Sequence, residues 1–415
     1  MSSRSRRTRC VCGRSCSPPE EPTVRPTGRC WTGGSVRCCS DENPVTAPVG
    51  VTDAVLGRAQ QVADAFAAIT AVELDARALL TGRAAMLGLR PQGRVSAGGA
   101  TRLFVTRDGS WCALTLSRAD DIAAVPALVQ TDSPDVDPWT AVENWAAVTD
   151  VRQVAERARL LGLPVAVLGE SPAAGPRITE LGPRSAGRSL AGQLVADLSS
   201  MWAGPLCGQL LRQAGATVVK VESPARPDGT RNGPSAFFDW MNHGKYSYAV
   251  DFDDTAALAA LLGAADVVIE SSRPAALARR GLGPEAVKIR PGRTWVRITG
   301  HGATGERAGW VAFGDDAAVS GGMVRNDPGT PVFVGDAIAD PLTGLHAAYA
   351  VADSCARGGG ELIEFAMSAV AALYATLASM GDEVPAVAPG ATPAGPVLGV
   401  DNDAVLRLIA ERQSC

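Results

Sequence analysis

The sequence has no uninterrupted apolar run of about 18 residues, so no membrane-spanning helix is expected. It has no excess of positive charge either. Lys and Arg number 39 against 43 Asp and Glu, for a net charge of −4, which argues against a nucleic-acid surface. Any bound anion must therefore meet local basic residues. No G-x-G-x-x-G is present at the Ser199–Pro205 turn, where the first crossover begins, so a nicotinamide cofactor is not supported. Histidine is confined to His243, His301 and His346. Cysteine is sparse beyond the first forty residues, with only Cys112, Cys207, Cys355 and Cys415, and such dispersed thiols fit a reducing cytoplasm. The early cysteines (Cys10, Cys12, Cys16, Cys30, Cys38, Cys39) have a spacing that suits no zinc motif, and no metal is expected. That segment also lacks the apolar core of a signal peptide. Rich in Arg, Ser, Pro and Gly, residues 1–47 read as disordered or as an over-extended start.

What remains is the composition of a globular protein, 46% hydrophobic in 415 residues, long enough for two or three domains. From Val51 to about Leu89 apolar residues recur at helical spacing, with Thr52 or Asp53 as a cap. After Ser96-Ala97-Gly98-Gly99 comes a hairpin, Arg102–Thr106 and Trp111–Leu116 about an Asp108-Gly109 turn. Helices are expected over 120–129, 138–147 and 150–161, and a strand over Pro164–Leu168. Together 48–170 form a smaller α/β domain, closed by a Pro/Gly/Ser-rich linker at 171–189.

Beyond Leu190 the rhythm becomes strand, helix, strand. Strands are expected at 194–198, 217–222, 247–252, 266–270 and 294–299, helices at 205–214 and 254–263, and helical turns at 275–280 and 284–289. Short apolar runs alternating with helices predict an α/β fold with a parallel sheet covered on both faces. Ligands of such sheets sit beyond the carboxyl ends of the strands. Small residues in Ser199-Ser200-Met201-Trp202-Ala203-Gly204-Pro205 would let an anion approach a helix N-terminus there.

Residues 331–350 end this series. A β-type run, Pro331–Val334, passes through Gly335 to Asp340-Pro341, where a cap followed by proline predicts a helix start. Read locally, Asp340 is an N-cap, and Asp336 is the competing carboxylate for any chemistry.

In order, Val195–Pro205, Ala214–Glu222, Asn242–Ser247 with Val250-Asp251, Ala265–Glu270, Arg273-Pro274, Gly281–Gly283, Ile298–Gly302 and Ile338–Gly344 resemble the class III CoA-transferase family (CaiB/BaiF type). Its members include formyl-CoA and carnitine CoA-transferases and α-methylacyl-CoA racemase. The resemblance implies a Rossmann-like CoA-binding domain over 190–415 and an interlocked homodimer. No cofactor is permanently bound; coenzyme A and acyl-CoA are substrates, with a carboxylic acid as acceptor. Asp340 matches the nucleophilic aspartate. Met201, Trp202 and Ala203 match the loop facing the thioester, and Arg279 a CoA-phosphate contact. Lys220 and Val250 lie in matching motifs; Lys220 and Lys245 are equally readable as structural ion pairs, and Trp202 as core. Ser271 and Ser272 stand where formyl-CoA transferases carry Asn-Phe, and Ser223 and Asp253 where relatives often carry basic residues. The family's small domain follows the aspartate, whereas here it precedes the sheet, a permuted order. Gly98 and Gly99 are then the candidate glycine loop over the aspartate, or a plain turn. No histidine occupies the racemase position in Trp310–Gly321. Transfer is therefore the expected activity. The alternatives are a racemase using Asp315, Asp316 or Asp336, and a CoA-binding protein without catalysis.

Overall fold

Short apolar runs build the larger part of the molecule. The computed structural model describes residues 48–90, 92–131, 137–273, 275–327 and 329–413; the reading of 1–47 lies outside the described residues. Seven strands form the main sheet, ordered Arg177–Glu180, Glu361–Ala366, Thr294–Thr299, Val267–Glu270, Leu194–Asp197, Thr217–Glu222 and Tyr246–Ala249. All pair in parallel except Arg177–Glu180, which runs antiparallel along one edge. Counted along the chain from Leu194, the parallel strands read 3-2-1-4-5-6, the doubly wound order. That order reverses between Leu194–Asp197 and Val267–Glu270, both buried along their whole length. A crevice at their carboxyl ends is where such a sheet receives a ligand.

Helices cover both faces. On one, Ala203–Gln213 and Ala339–Ala356 pack against Val195, Ile269 and Ile363. On the other, Leu258 and Leu261 of Thr255–Ala264 meet Val405 and Ile409 of Asn402–Gln413. A three-stranded antiparallel sheet of Thr101–Val105, Trp111–Thr115 and Val165–Val167 has its own core, where Leu114 and Val165 pack on Val142, Val154 and Ala158.

Several boundaries differ from those expected. The helix predicted over 51–89 is two helices, Asp53–Thr70 and Ala76–Leu87, separated where Ala71 turns left-handed at φ 59°. Thr52 Oγ1 accepts the Val55 N–H and Asp75 accepts the Arg77 N–H, so each helix has its own cap. Both helices join the core of the large sheet rather than that of the small one, because Val55, Phe66 and Leu80 face Ala339–Ala356. Residues 48–170 thus divide between two cores. The 171–189 segment is more than a linker, since it carries the edge strand Arg177–Glu180. The turn expected over 284–289 is confined to 284–286, closed by the Ala286 and Val287 N–H groups on Gly283 O.

The Ala203–Gln213 and Ala339–Ala356 helices cross so closely at Gly344 that a Cβ there would lie 2.6 Å from Ala203 O and 3.0 Å from Leu206. Gly344→Ala should therefore cost about 1–3 kcal/mol of stability, read as a lower denaturant midpoint at unchanged m-value.

Candidate active site

The turn leaving the first parallel strand is set by buried charge. Lys245 Nζ donates to Asp197 Oδ2 at 2.9 Å, to Pro205 O at 2.8 Å and to Asn242 Oδ1 at 3.1 Å. Lys220 Nζ donates to Ser199 O and to Asp228 Oδ2, each at 2.6 Å. Asp228 in turn accepts the Met201 N–H at 3.2 Å. Burial opposes the charged form of each group. The facing lysines nevertheless hold the carboxyls of Asp197 and Asp228 below the usual range. Met201 takes a left-handed conformation at φ 74°, costly for a non-glycine, with its side chain exposed. Trp202 follows, buried edge-on against Phe237 with ring centroids 5.2 Å apart.

Asp340 is brought to this turn by the helix crossing. The Ala339–Ala356 helix is preceded by Ile338, and Asp340 lies within its first turn, so it does not cap its own helix as predicted. Its carboxylate instead accepts the Ala203 N–H, at 3.4 Å, from the first residue of the neighbouring helix. A second left-handed residue, Ala337 at φ 44°, accepts the Asp340 N–H at 2.9 Å. Gly314 makes room: a Cβ there would overlap Ala337 O and Asp340 Oδ2. Asp340 keeps some exposed surface. Burial of its carboxyl pushes the pKa up to about 7, against the Ala203 N–H, which favours the charged form.

Three more carboxyls gather here. Asp315 is pushed up to about 6 by burial and by the charge of Asp336, and Asp316 to about 7 by burial. Asp316 Oδ1 accepts from Thr115 Oγ1 at 2.7 Å, while its buried Oδ2 has no partner among the described residues. Thr101 Oγ1 lies 2.9 Å from Thr115 Oγ1 and 3.4 Å from Asp315 Oδ2. The small sheet thereby grips the Gly314–Ser320 helix. Asp336 carries an ion pair with Arg83, whose NH1 lies 2.6 Å from Oδ1 and 2.7 Å from Oδ2. Arg83 also stands over the rings of Phe237 and Trp202.

Of the residues singled out in the sequence, Met201, Trp202, Ala203 and Asp340 come together. Ser271 stands across the crevice, its Oγ accepting the Ser200 N–H at 3.3 Å, and Ser272 Oγ lies 3.5 Å from Glu270 Oε2. Val250 is buried just beyond the Tyr246–Ala249 strand. Arg279 is exposed past the Ala275–Ala278 turn. Lys220 departs from its cofactor-binding assignment. It is fully buried with its ammonium taken by Asp228 and Ser199 O, so it is a structural ion pair with no face toward a ligand. Gly98 and Gly99 sit on an exposed turn whose stem, Ser96, is buried and hydrogen-bonded to Asp315. Arg83 and Gly314 were not anticipated. Arg83 reaches Asp336 across 253 residues of sequence, and neither lies in a local motif that marks it.

A doubly wound sheet with a carboxylate poised over its first crossover helix narrows the class, and comparison with known proteins gives the family. Residues 190–396 match CoA-transferase family III. Through this segment the chain belongs to that family. It is 32% identical over 204 residues to succinate–glutarate CoA-transferase of Agrobacterium fabrum, covering 43% of this chain and 50% of that protein. Over 180 residues it is 37% identical to human succinyl-CoA:glutarate CoA-transferase, covering 40% of this chain and 41% of that one. A solved CaiB/BaiF family protein from Brucella suis is 30% identical and covers 48% of this chain and 60% of its own, at a TM-score of 0.42. The chain spans about half the length of the curated relatives it matches.

Two outcomes follow from the geometry. Gly314→Ala should push the Asp340 carboxylate and the Ala337 backbone away, cost at least about 1–3 kcal/mol through overpacking, and lower any activity at Asp340 in the protein that stays folded, read by kinetics beside circular dichroism. Because the folded carboxyl of Asp340 binds its proton more tightly than an unfolded one at the ordinary 3.8, ionising it between those values and about 7 destabilises the fold. Asp340→Asn should therefore melt above the wild type at pH 8, and the gap should close toward pH 4.

Proposed function

We propose that this protein transfers CoA from an acyl-CoA to a carboxylic acid through an aspartyl-CoA thioester on Asp340. The observation that carries this is the placement of Asp340, partly exposed and against the Ala203 N–H at the mouth of the doubly wound sheet. The Asp340 carboxylate attacks the thioester carbonyl and expels CoA thiolate, leaving a mixed anhydride. The thiolate attacks the aspartyl carbonyl, releasing the donor acid and forming the aspartyl thioester. The acceptor carboxylate repeats the first step in reverse sense, expelling thiolate, which then takes the acceptor acyl group and frees Asp340. Each step exchanges one acyl bond for another, as covalent catalysis requires. The Ala203 N–H stands where it can donate to an oxyanion developing on the aspartyl carbonyl.

CoA itself is assigned to the crevice lined by Met201, Ala203, Ser271 and Ser272, with the exposed Arg279 meeting a phosphate. Gly98 and Gly99 are assigned to a loop over Asp340, because their stem residue Ser96 holds Asp315 beside it. The small sheet is assigned the place of the family's small domain in permuted order. In support, Pro48–Thr52 pairs antiparallel with Glu383–Pro385, so that the chain's early and late segments meet.

Incubation with a panel of acyl-CoAs and hydroxylamine, followed by peptide mass spectrometry, should show a modified Asp340. Trapping should rise with pH through about 7 as the carboxyl ionises, and Asp340→Ala should abolish both trapping and exchange. No adduct and no exchange with any acyl-CoA would overturn the assignment. Deuterium wash-in at the α-carbon without transfer would place the chain with the racemases instead.

A further inference from the structure

We propose that Arg83, with the indole N–H of Trp202, forms the subsite for the carboxylate of the acid that exchanges CoA at Asp340. The inference rests on the transfer reading above and names the group that recognises its second substrate.

An acid arriving beside Asp340 enters a neighbourhood that also holds Asp315 and Asp336, and like charges repel it. The cation whose field reaches Asp340 is Arg83. Only one part of its guanidinium is engaged, since NH1 donates to both oxygens of Asp336. Among the described residues Nε and NH2 make no hydrogen bond, and the side chain is 24% exposed. These two atoms form the side-on edge of the planar fork, which matches the two oxygens of a carboxylate. The ion pair with Asp336 fixes the fork, and the aromatic rings 5.1 Å and 5.6 Å from its Cζ hold it in place.

The indole under this guanidinium has a donor to spare. Trp202 Nε1 is buried and has no acceptor among the described residues, and a buried unpaired donor is costly unless it finds a partner. Trp202 directly precedes Ala203, whose N–H is on the Asp340 carboxylate. A substrate carboxylate on the open edge of Arg83 would satisfy the guanidinium and lie beside the reacting aspartate. The donor acid leaves and the acceptor acid arrives at the same carbonyl, so both use this subsite.

The test compares wild type with Arg83→Lys, which keeps the charge and loses the fork, and with the double variant Arg83→Gln/Asp336→Asn, which removes the pair together. Steady-state transfer should show the KM for the acceptor acid, and the inhibition constant of the released acid, rising roughly 10- to 100-fold, the loss of a charge-assisted hydrogen bond. The KM for acyl-CoA should move less than about threefold. Calorimetric binding of propionate and glutarate to the resting protein, weaker by a similar factor in the variants, reads the same contrast without turnover. Melting curves establish which variant is folded, and either one carries the readout. Unchanged acid KM and unchanged acid binding in a folded variant would overturn the proposal. So would acid and acyl-CoA KM values rising together, or wild-type protein that binds neither acid. Failure of the wild type to form any Asp340 adduct would instead sink the transfer reading, while acid binding still judges Arg83.

Discussion

Four buried charges at the head of the central strand hold the turn on which the site is built. Lys220, Lys245, Asp197 and Asp228 are all closed to solvent, and their charges cancel. Such pairs give little net stability, because desolvation offsets attraction; deleting one member leaves a buried charge unpaired and costs about 3–5 kcal/mol. What they give here is geometry. Lys245 ties the strand end to Pro205 O in the following helix, Lys220 ties Ser199 O to Asp228, and Asp228 holds the strained Met201 backbone through its N–H. With those anchors in place, Trp202 is packed inward and the Ala203 N–H is left facing across the helix crossing.

The helix crossing then decides the character of Asp340. Small residues at Gly344 and Gly314 let two helices and a loop come within backbone distance of one another, and the carboxylate is enclosed as a result. Enclosure disfavours its charge, while the Ala203 N–H and Arg83 favour it. Neither side wins outright, so the group titrates near neutrality. A carboxyl with such a pKa is ionised in a useful fraction at neutral pH, yet is not stabilised deeply as an anion. Of the four non-glycine residues described with positive φ, Ala71 and Gln130 end helices, whereas Met201 and Ala337 flank Asp340. Backbone strain of this kind clusters at functional sites, held there by the structure around it.

Much of this scaffold was legible in the sequence, because its strands are short apolar runs and its hairpin turns on Asp108-Gly109. Thr217–Glu222 and Thr294–Thr299 were read to the residue. The edge strand Arg177–Glu180 was not, since four residues set among Pro, Gly and Ser carry too little pattern to be told from a linker. Asp340-Pro341 marked the right helix but the wrong role for the carboxylate. A cap signal concerns the local backbone, whereas the partner of Asp340 belongs to a helix 137 residues earlier. Lys220 was ambiguous for a related reason. In a strand buried on both faces, alternation no longer tells which side a side chain takes, so an ammonium inside the sheet reads the same as one at a ligand.

Arg83 shows where sequence reading ends. It lies in a helix whose pattern calls for apolar packing on one side and solvent on the other, and nothing within that helix distinguishes it from other surface arginines. Its place is fixed by the pairing of Pro48–Thr52 with Glu383–Pro385, which seats the first two helices on Ala339–Ala356. Asp336 comes from the loop just before that helix, while Trp202 precedes the Ala203–Gln213 helix and Phe237 lies in the Ser235–Asn242 helix. The cation is therefore delivered by an early segment to a carboxylate cluster built by a late one. Contacts between segments so far apart in the chain leave no local pattern, which is why the arginine could not be read from its own helix.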